Sequence, residues 1–584
     1  MDVGDATRLN VLGKRGVTFA WVATALLVLP ALRAAFSLDD FFQQSVLEGK
    51  APELGLGPAS LYDFMGGLDG RGMLERGFMP WHTDPHFHLR FFRPLSSLSI
   101  ALDHALFGRN ALLAHLTGAA WFVALTAVAI ALFRQLLPPN RAGLAAFLFA
   151  VASGHAFNLA WVAGRHVLIG SLFGALALLI HVKNAEGGAP RWLPSWLAPV
   201  SLLVAAFASE LSLAAAAMIA SFELLATERA PRARLLRSAA WLVAALGYLL
   251  LYSAFGYGTR HSGLYLSPFA QPGQFLLEAA TRLPILLGEL AFAVPSFLWG
   301  AAEPARPVLA VLGAATAALV VALAFRAATT APERRRTTWF AVAALLGALP
   351  VVGGVPDGRV LLLALLASAP LVATAIEAAF GAAGRPASLL LRACGVVLLF
   401  QHVVFAALVR VGMTELIVSS AAKSRALAEN MDASRCSAGS PAYVVTGADP
   451  ALCLAFGPSL LLYRPDLVRR HPRLAMLSLA PHDLRMERKS DKELVLEVVG
   501  SPRRVTIFER LFRDTPLAAG QRVVLEDFAA RVLAVEGDFA TRVAFELPEN
   551  TCLLTLERQM LVGRPMPPVG SARDVPHELG PLGL

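Results

Sequence analysis

Residues 111–134 read ALLAHLTGAAWFVALTAVAIALFR, an unbroken apolar run closed by one arginine. About 20 such residues cross a hydrocarbon core of about 30 Å as a helix, because a helix satisfies its own backbone where there is no water. Similar runs recur along the 584 residues, so lipid is the solvent for much of the chain. The composition agrees: 56% of residues are apolar and only 16% charged, where soluble domains carry about 25% charged residues. So few charges cannot cover the surface of a soluble enzyme, and so apolar a chain is not disordered. Long continuous runs also differ from the short alternating strands of an outer-membrane barrel.

Working outward from 111–134, further spans read at about 17–32, 142–160, 167–182, 193–208, 211–227, 238–256, 307–325, 338–353, 360–381 and 387–409, about eleven in all. The first run follows Lys14 and Arg15 and reads as an uncleaved anchor; a signal peptide cleaved near the small residues 31–35 is the alternative. With the N-terminus inside, Arg134, Arg141, Lys183, Arg191, Arg229, Arg232, Arg234 and Arg237 all fall on the cytoplasmic side. Residues 281–302 contain Pro284, Glu289 and Pro295 and are expected to form an interrupted element in or re-entering the outer interface. A full crossing there would put Arg326 and Arg334, Arg335 and Arg336 outside. The net charge of +9 then reflects arginine-rich cytoplasmic loops. No basic patch is interleaved with aromatics, so nucleic acid is not an expected partner.

The spans define a transmembrane domain over 1–410, with a polar outer loop at 36–110. From 411 to 584 short apolar runs (442–445, 493–499, 504–508, 521–526, 531–535) alternate with charged or Gly/Pro turns, predicting a β-rich extracytoplasmic domain. Three of the four cysteines, Cys436, Cys453 and Cys552, lie there without CxxC spacing, and a Cys436–Cys453 disulfide is compatible with an oxidising compartment.

On this topology the scarce charges of the membrane region gather at the outer edges of the spans. Asp39 and Asp40 follow the first helix, and a carboxylate there suits acceptance of a proton from an attacking hydroxyl. Their side chains diverge, so one is expected to face the site and the other to bond locally. Arg90, Arg93, Arg165, Arg260 and Arg359 are candidate anion ligands, since guanidinium forks fit phosphate; headgroup anchoring is the plainer reading of any single one. Glu210 either orients an arginine or caps the following helix. His82, Asp84, His86 and His88 are metal-ligating types crowded into one loop, but Pro85 among them leaves an ordinary polar loop as the simpler expectation.

Several of these residues, in this order, resemble the GT-C superfamily of membrane glycosyltransferases. They are the Asp39-Asp40 pair after the first helix, Arg93-Pro94-Leu95 before the second, Gly164-Arg165, Ser209-Glu210 and Gly358-Arg359. Residues 15–410 look closest to bacterial relatives of the protein O-mannosyltransferases and of the transmembrane-and-tetratricopeptide mannosyltransferases. Many relatives carry Asp-Glu where this chain has Asp-Asp, and the tetratricopeptide repeats of one branch are absent from this sequence. The resemblance implies a polyprenyl-phosphate-linked sugar as donor and an extracytoplasmic acceptor. It makes Asp39 or Asp40 the base, and Arg93, Arg165 and Arg359 the donor-phosphate ligands, with Arg90, Glu210 and Arg260 in support. No cofactor is required, although a divalent metal is compatible, and the setting implied is a bacterial inner membrane.

A non-catalytic scaffold or assembly factor for envelope polysaccharide is the alternative expectation. A transporter fits less well, because it calls for mid-membrane ionisable residues and paired broken helices.

Overall fold

The computed structural model describes the chain apart from residues 1–2, 189, 191–192, 302, 382–386, 446–450, 472, 479–481, 501–509, 538 and 579–584. The protein is a polytopic helical membrane protein with a β-containing C-terminal region. Among the described residues eight helices are long and apolar enough to cross a bilayer: Lys14–Arg33, Ala111–Leu136, Val162–Ala185, Pro231–Ala254, Glu303–Ala327, Ala331–Gly353, Leu362–Ala379 and Leu389–Glu429. The other three of the expected eleven runs hold shorter helices. The 142–160 run is split into helices Pro139–Val151 and His155–Ala160, while 193–208 and 211–227 hold the 12-residue helices Leu197–Ala208 and Ala214–Leu225. At 1.5 Å per residue, twelve residues reach only about 18 Å.

The chain divides into two compact units. One comprises Met1–Arg33, Phe92–Tyr257 and Ser267–Glu415; the other Ala34–Phe91, Gly258–Leu266 and Leu416–Leu584.

The first unit is the helical one. Its basic helix ends meet through ion pairs of Arg141 with Glu377 (2.5 Å) and Glu333 (3.7 Å), Arg336 with Glu186 (2.8 Å), and Arg335 with Glu228. Arg93, Glu210 and Arg359 belong to the opposite ends. Helix Pro272–Phe292 is not among the eight. It runs continuously through Pro284 and stops at Ala293, whose φ of 56° is left-handed. Arg282 donates to the carbonyls of Val352 and Gly354, and Glu289 lies against Gly358. The expected interruption of 281–302 falls between Phe292 and Leu298, around Pro295, while Pro284 stays inside the helix, which packs closely on Arg306–Ala327, where a Cβ on Gly313 would stand 2.1 Å from the Pro284 carbonyl oxygen.

Among the described residues the second unit holds three sheets, the smallest being the antiparallel pair His88–Arg90 and Gly258–Arg260. The six-stranded antiparallel sheet runs in the order Ala572–Val575, Leu484–Arg488, Glu493–Val498, Phe539–Glu546, Ala529–Glu536, Arg522–Val524. The four-stranded sheet runs Met560–Pro565, Cys552–Glu557, Ala442–Val445, Leu474–Ser478, the last three parallel. Helices Ala451–Tyr463 and Pro465–Arg470 make the crossover that parallel pairing demands, so the domain is less purely β than the turn pattern predicts. The last long helix also runs on to Glu429, past the expected boundary at 410. The expected strand at 504–508 lies outside the described residues.

Segment 34–91 folds with this unit because it carries apolar residues the sheets can bury. Trp81 is buried in the core with Tyr443 and Val543, stacks edge-on against Phe545 (5.6 Å) and donates to the Leu477 carbonyl at 2.7 Å. Gly77, at φ 71°, approaches the Leu474 carbonyl so closely that a Cβ would stand 1.6 Å from it. The disulfide joins Cys436 to Cys552, not to Cys453. Parallel pairing of the strand at 552 with the strand at 442 brings Cys552 beside the turn that carries Cys436.

Candidate active site

In the helical unit, Arg93 and Glu210 form a two-pronged ion pair, Nε to Oε2 at 2.9 Å and Nη2 to Oε1 at 2.5 Å. Local structure places both. Arg93 sits just before Pro94, which opens helix Pro94–Phe107, and Ser96 Oγ donates to the Ala208 carbonyl at 2.9 Å, tying that helix to the turn where Glu210 begins. The carboxylate therefore orients an arginine, one of its two expected roles. His166 Nδ1 lies 3.2 Å from Ser209 Oγ, and the imidazole stands within electrostatic reach of both Arg93 and Arg359.

Arg359 is held by its backbone and leaves its head partly free. Asp357 accepts from the Arg359 amide at 2.9 Å and lies 3.4 Å from its Nε, and Asn158 Nδ2 donates to the Arg359 carbonyl at 2.7 Å. The guanidinium stacks over Trp161 (5.1 Å) and Phe157 (5.6 Å) and keeps 27% side-chain exposure. Beneath the turn, the Glu289 carboxylate accepts from the Ser296 amide at 2.8 Å and from Ser153 Oγ at 3.4 Å. A Cβ on Gly358 would stand 1.9 Å from Glu289 Oε1, so only glycine lets the turn settle there. Next to these groups lies a narrow crevice, with room for little more than a water molecule, lined by Val167, Ser171, Ser209, Ser212, Val360 and Leu363.

Arg165 is enclosed among helices. Its side chain is 1% exposed, and its Nη2 pairs with Asp103 Oδ2 at 2.7 Å and donates to the Ala114 carbonyl at 2.6 Å, while Nη1 lies 3.2 Å from Ser99 Oγ. These contacts join three helices through one nearly enclosed guanidinium. Its partner Asp103 has no role assigned from the sequence.

An aromatic ring set beside the Arg93–Glu210 pair was also not singled out. Phe92, Tyr257, Tyr252, Tyr248 and Phe207 contact in a closed sequence, at 5.0, 5.5, 6.2, 6.3 and 5.9 Å. Both ionic partners stand within electrostatic reach of Tyr248 and Tyr252. The available signal was local: three of only seven tyrosines lie within 248–257, two of them one helical turn apart.

The remaining expected residues belong to the second unit. Asp40 is buried and accepts from the Ser37 amide at 2.9 Å, which makes it the locally bonded member of the pair. Asp39 is half-buried at the start of helix Asp39–Leu47. The preceding Leu38 has φ 49° and ψ −120°, a conformation costly for a branched side chain, and it fixes how Asp39 leaves the chain. Arg90 pairs with Asp63 at 2.7 Å, and Arg260 is exposed on a short strand opposite His88. The His82 ring nitrogen Nε2 is buried, and burial together with the nearby Arg513 guanidinium pushes its pKa down to about 3. Asp84 faces His261 and Asp514, while His86 is exposed and lies beside His261.

No family model matches the chain. No curated protein matches it either. Among solved structures, it is similar to the oligosaccharyltransferase of Archaeoglobus fulgidus tethered to an acceptor peptide, at 11% identity and a TM-score of 0.43, covering 79% of this chain and 64% of that one. The chain thus spans 64% of the length of that relative. It is also similar to ArnT from Cupriavidus metallidurans bound to undecaprenyl phosphate, at 14% identity and a TM-score of 0.39, covering 79% of this chain and 85% of that one.

Proposed function

We propose that the chain is a membrane glycosyltransferase that moves a sugar from a polyprenyl-phosphate-linked donor to an extracytoplasmic acceptor, with the fold relationship to GT-C enzymes that its motif order suggests. The observation that carries the reading is Arg359. It is a stacked, partly exposed guanidinium sharing the His166 environment with Arg93, at the helix ends opposite the basic ones. Lipid-borne phosphate needs a cation at the rim of an apolar bundle, and a fork pre-oriented by Asp357 and Trp161 binds it with little loss of side-chain freedom.

The basic helix ends face the cytoplasm in this reading, and the Cys436–Cys552 disulfide suits an oxidising compartment for the second unit. The acceptor oxygen attacks the anomeric carbon as the bond to the lipid phosphate breaks, and its proton passes to a carboxylate, the role the motif resemblance gives Asp39. Arg359 and the Glu210-held Arg93 stabilise the charge left on that phosphate. The aromatic set from Phe92 to Phe207 offers apolar faces for the sugar or the first isoprene units. A bacterial inner membrane is the setting, and a hexose the sugar, that fit the motif resemblance.

A scaffold is the second reading, favoured by the commitment of Arg165 to Asp103. Binding of undecaprenyl phosphate to purified protein in nanodiscs tests the donor site. Arg359→Ala should lower affinity about tenfold or more, the scale of one charge-assisted contact of roughly 1.5–3 kcal/mol. Unchanged affinity would remove Arg359 from the donor site.

A further inference from the structure

We infer that the second unit carries a zinc-class divalent cation site formed by Asp84, His261 and Asp514, a staple joining three stretches of chain that are distant in sequence. One ligand atom from each residue lies within 4.8 Å of the others, a spacing that one ion of that class can bridge. His261 Nδ1 stands 3.5 Å from Asp514 Oδ2, too long for a hydrogen bond. The other carboxylate oxygen of Asp514, Oδ1, is buried and accepts no hydrogen bond among the described residues.

The three stretches already converge here. Asp84 donates its amide to the Phe512 carbonyl at 2.9 Å, Ser262 Oγ donates to the Leu511 carbonyl at 2.7 Å, and the Gly263 amide donates to the Arg510 carbonyl at 2.9 Å. The ligands are thus held by neighbouring backbone, as a pre-formed site requires.

Two features point to a cation and not to a simple polar contact. His261 adopts φ 54°, a left-handed conformation that a loop without other demands would assign to glycine or asparagine; here it aims an imidazole at two carboxylates. Arg513, the nearest fixed cation, stands within electrostatic reach of Asp84 and Asp514 but directs its N–H groups to the carbonyls of His82 (3.0 Å) and Thr515 (2.5 Å) and to Thr515 Oγ1 (3.4 Å). It therefore offsets part of the negative charge while leaving carboxylate oxygens facing His261. One imidazole and two carboxylates suit zinc or manganese over magnesium, with water completing the shell, and the offset by Arg513 predicts micromolar and not nanomolar affinity. His86, exposed with its ring 5.9 Å from that of His261, is placed to supply a further nitrogen.

The test is titration of tag-free, chelator-stripped full-length protein in detergent with zinc chloride, read by calorimetry and by thermal unfolding, with magnesium chloride in parallel. The expected result is a single saturable equivalent of zinc and a melting temperature that rises with zinc and not with magnesium. His261→Gly removes a ligand while relieving the left-handed strain, so its metal-free melting temperature should equal or exceed that of the wild type, with zinc affinity lowered about tenfold or more. Asp514→Asn should weaken zinc similarly. Absence of saturable binding, binding unchanged by both variants, or an equal response to magnesium would overturn the site. None of these readouts uses sugar transfer, so failure here and failure of the transferase reading are separable.

Discussion

Replacing Asp103 by asparagine isolates what Arg165 does. The guanidinium and carboxylate lie 2.7 Å apart with side chains 1% and 8% exposed. At an effective dielectric of about 20 the pair attracts by about 6 kcal/mol, and removing one partner of such a buried pair typically costs about 3–5 kcal/mol. The Ala114 carbonyl and Ser99 hydroxyl remain as acceptors for the stranded charge, which places Asp103→Asn near the lower end, about 3 kcal/mol. For a large unit each kcal/mol moves the midpoint by about 2 °C, so a drop of about 6 °C is expected. Asp103→Leu with Arg165→Met removes both charges together and should recover most of that loss. The assay is tryptophan-fluorescence thermal unfolding in detergent, with undecaprenyl phosphate binding measured on the same samples. A midpoint for Asp103→Asn within 1 °C of wild type, or a stable Arg165→Met that has lost lipid phosphate binding, would refute the bracing role and return Arg165 to the donor site.

Gly358→Ala drives a Cβ into the Glu289 carboxylate, so it should displace the turn bearing Arg359 and weaken binding of undecaprenyl phosphate more than it lowers the melting temperature. His82 is neutral in the folded protein down to about pH 3 but takes a proton near pH 6.5 when unfolded. The unfolded state thus binds more protons between those values, and stability should fall by about 1.4 kcal/mol per pH unit below 6.5. His82→Phe should flatten that slope in melting curves recorded between pH 7.5 and 5. The Cys436–Cys552 bridge spans 116 residues, and its loss through Cys436→Ser with Cys552→Ser should cost about 2–5 kcal/mol, read as a lower unfolding midpoint of the second unit and matched by reduction of the wild type.

Helix number and chemistry were legible to different degrees for physical reasons. A run such as 111–134 announces itself because length and apolarity are sufficient for a span. The 12-residue helices on either side of Ser209 are equally apolar but too short, and hydropathy alone does not register where the backbone breaks. The reading of 281–302 as interrupted rests on Pro284, Glu289 and Pro295; the break comes near Pro295, and Pro284 sits inside a helix because Gly313 leaves room for its carbonyl.

At the site, charge type was readable and partner choice was not. Asp103 and Arg165 are far apart in sequence, and only helix packing reveals that they meet, whereas Glu210 was named as able to orient an arginine and does orient Arg93. Of the Asp39-Asp40 pair, Asp40 bonds locally to the Ser37 amide. Trp81 folds the outer loop into the C-terminal unit through contacts with strands at 477 and 545, which no local pattern encodes.

The most direct measurement is transfer of labelled sugar from a panel of polyprenyl-phosphate donors by purified protein in nanodiscs, comparing wild type with Asp39→Asn and Arg359→Ala. The account predicts transfer from at least one donor by the wild type. It predicts loss of about a hundredfold or more in Asp39→Asn with lipid phosphate binding retained, the scale of a general base, and loss of binding in Arg359→Ala. Wild type that transfers from none of the donors, or an Asp39→Asn variant with full activity, would contradict it.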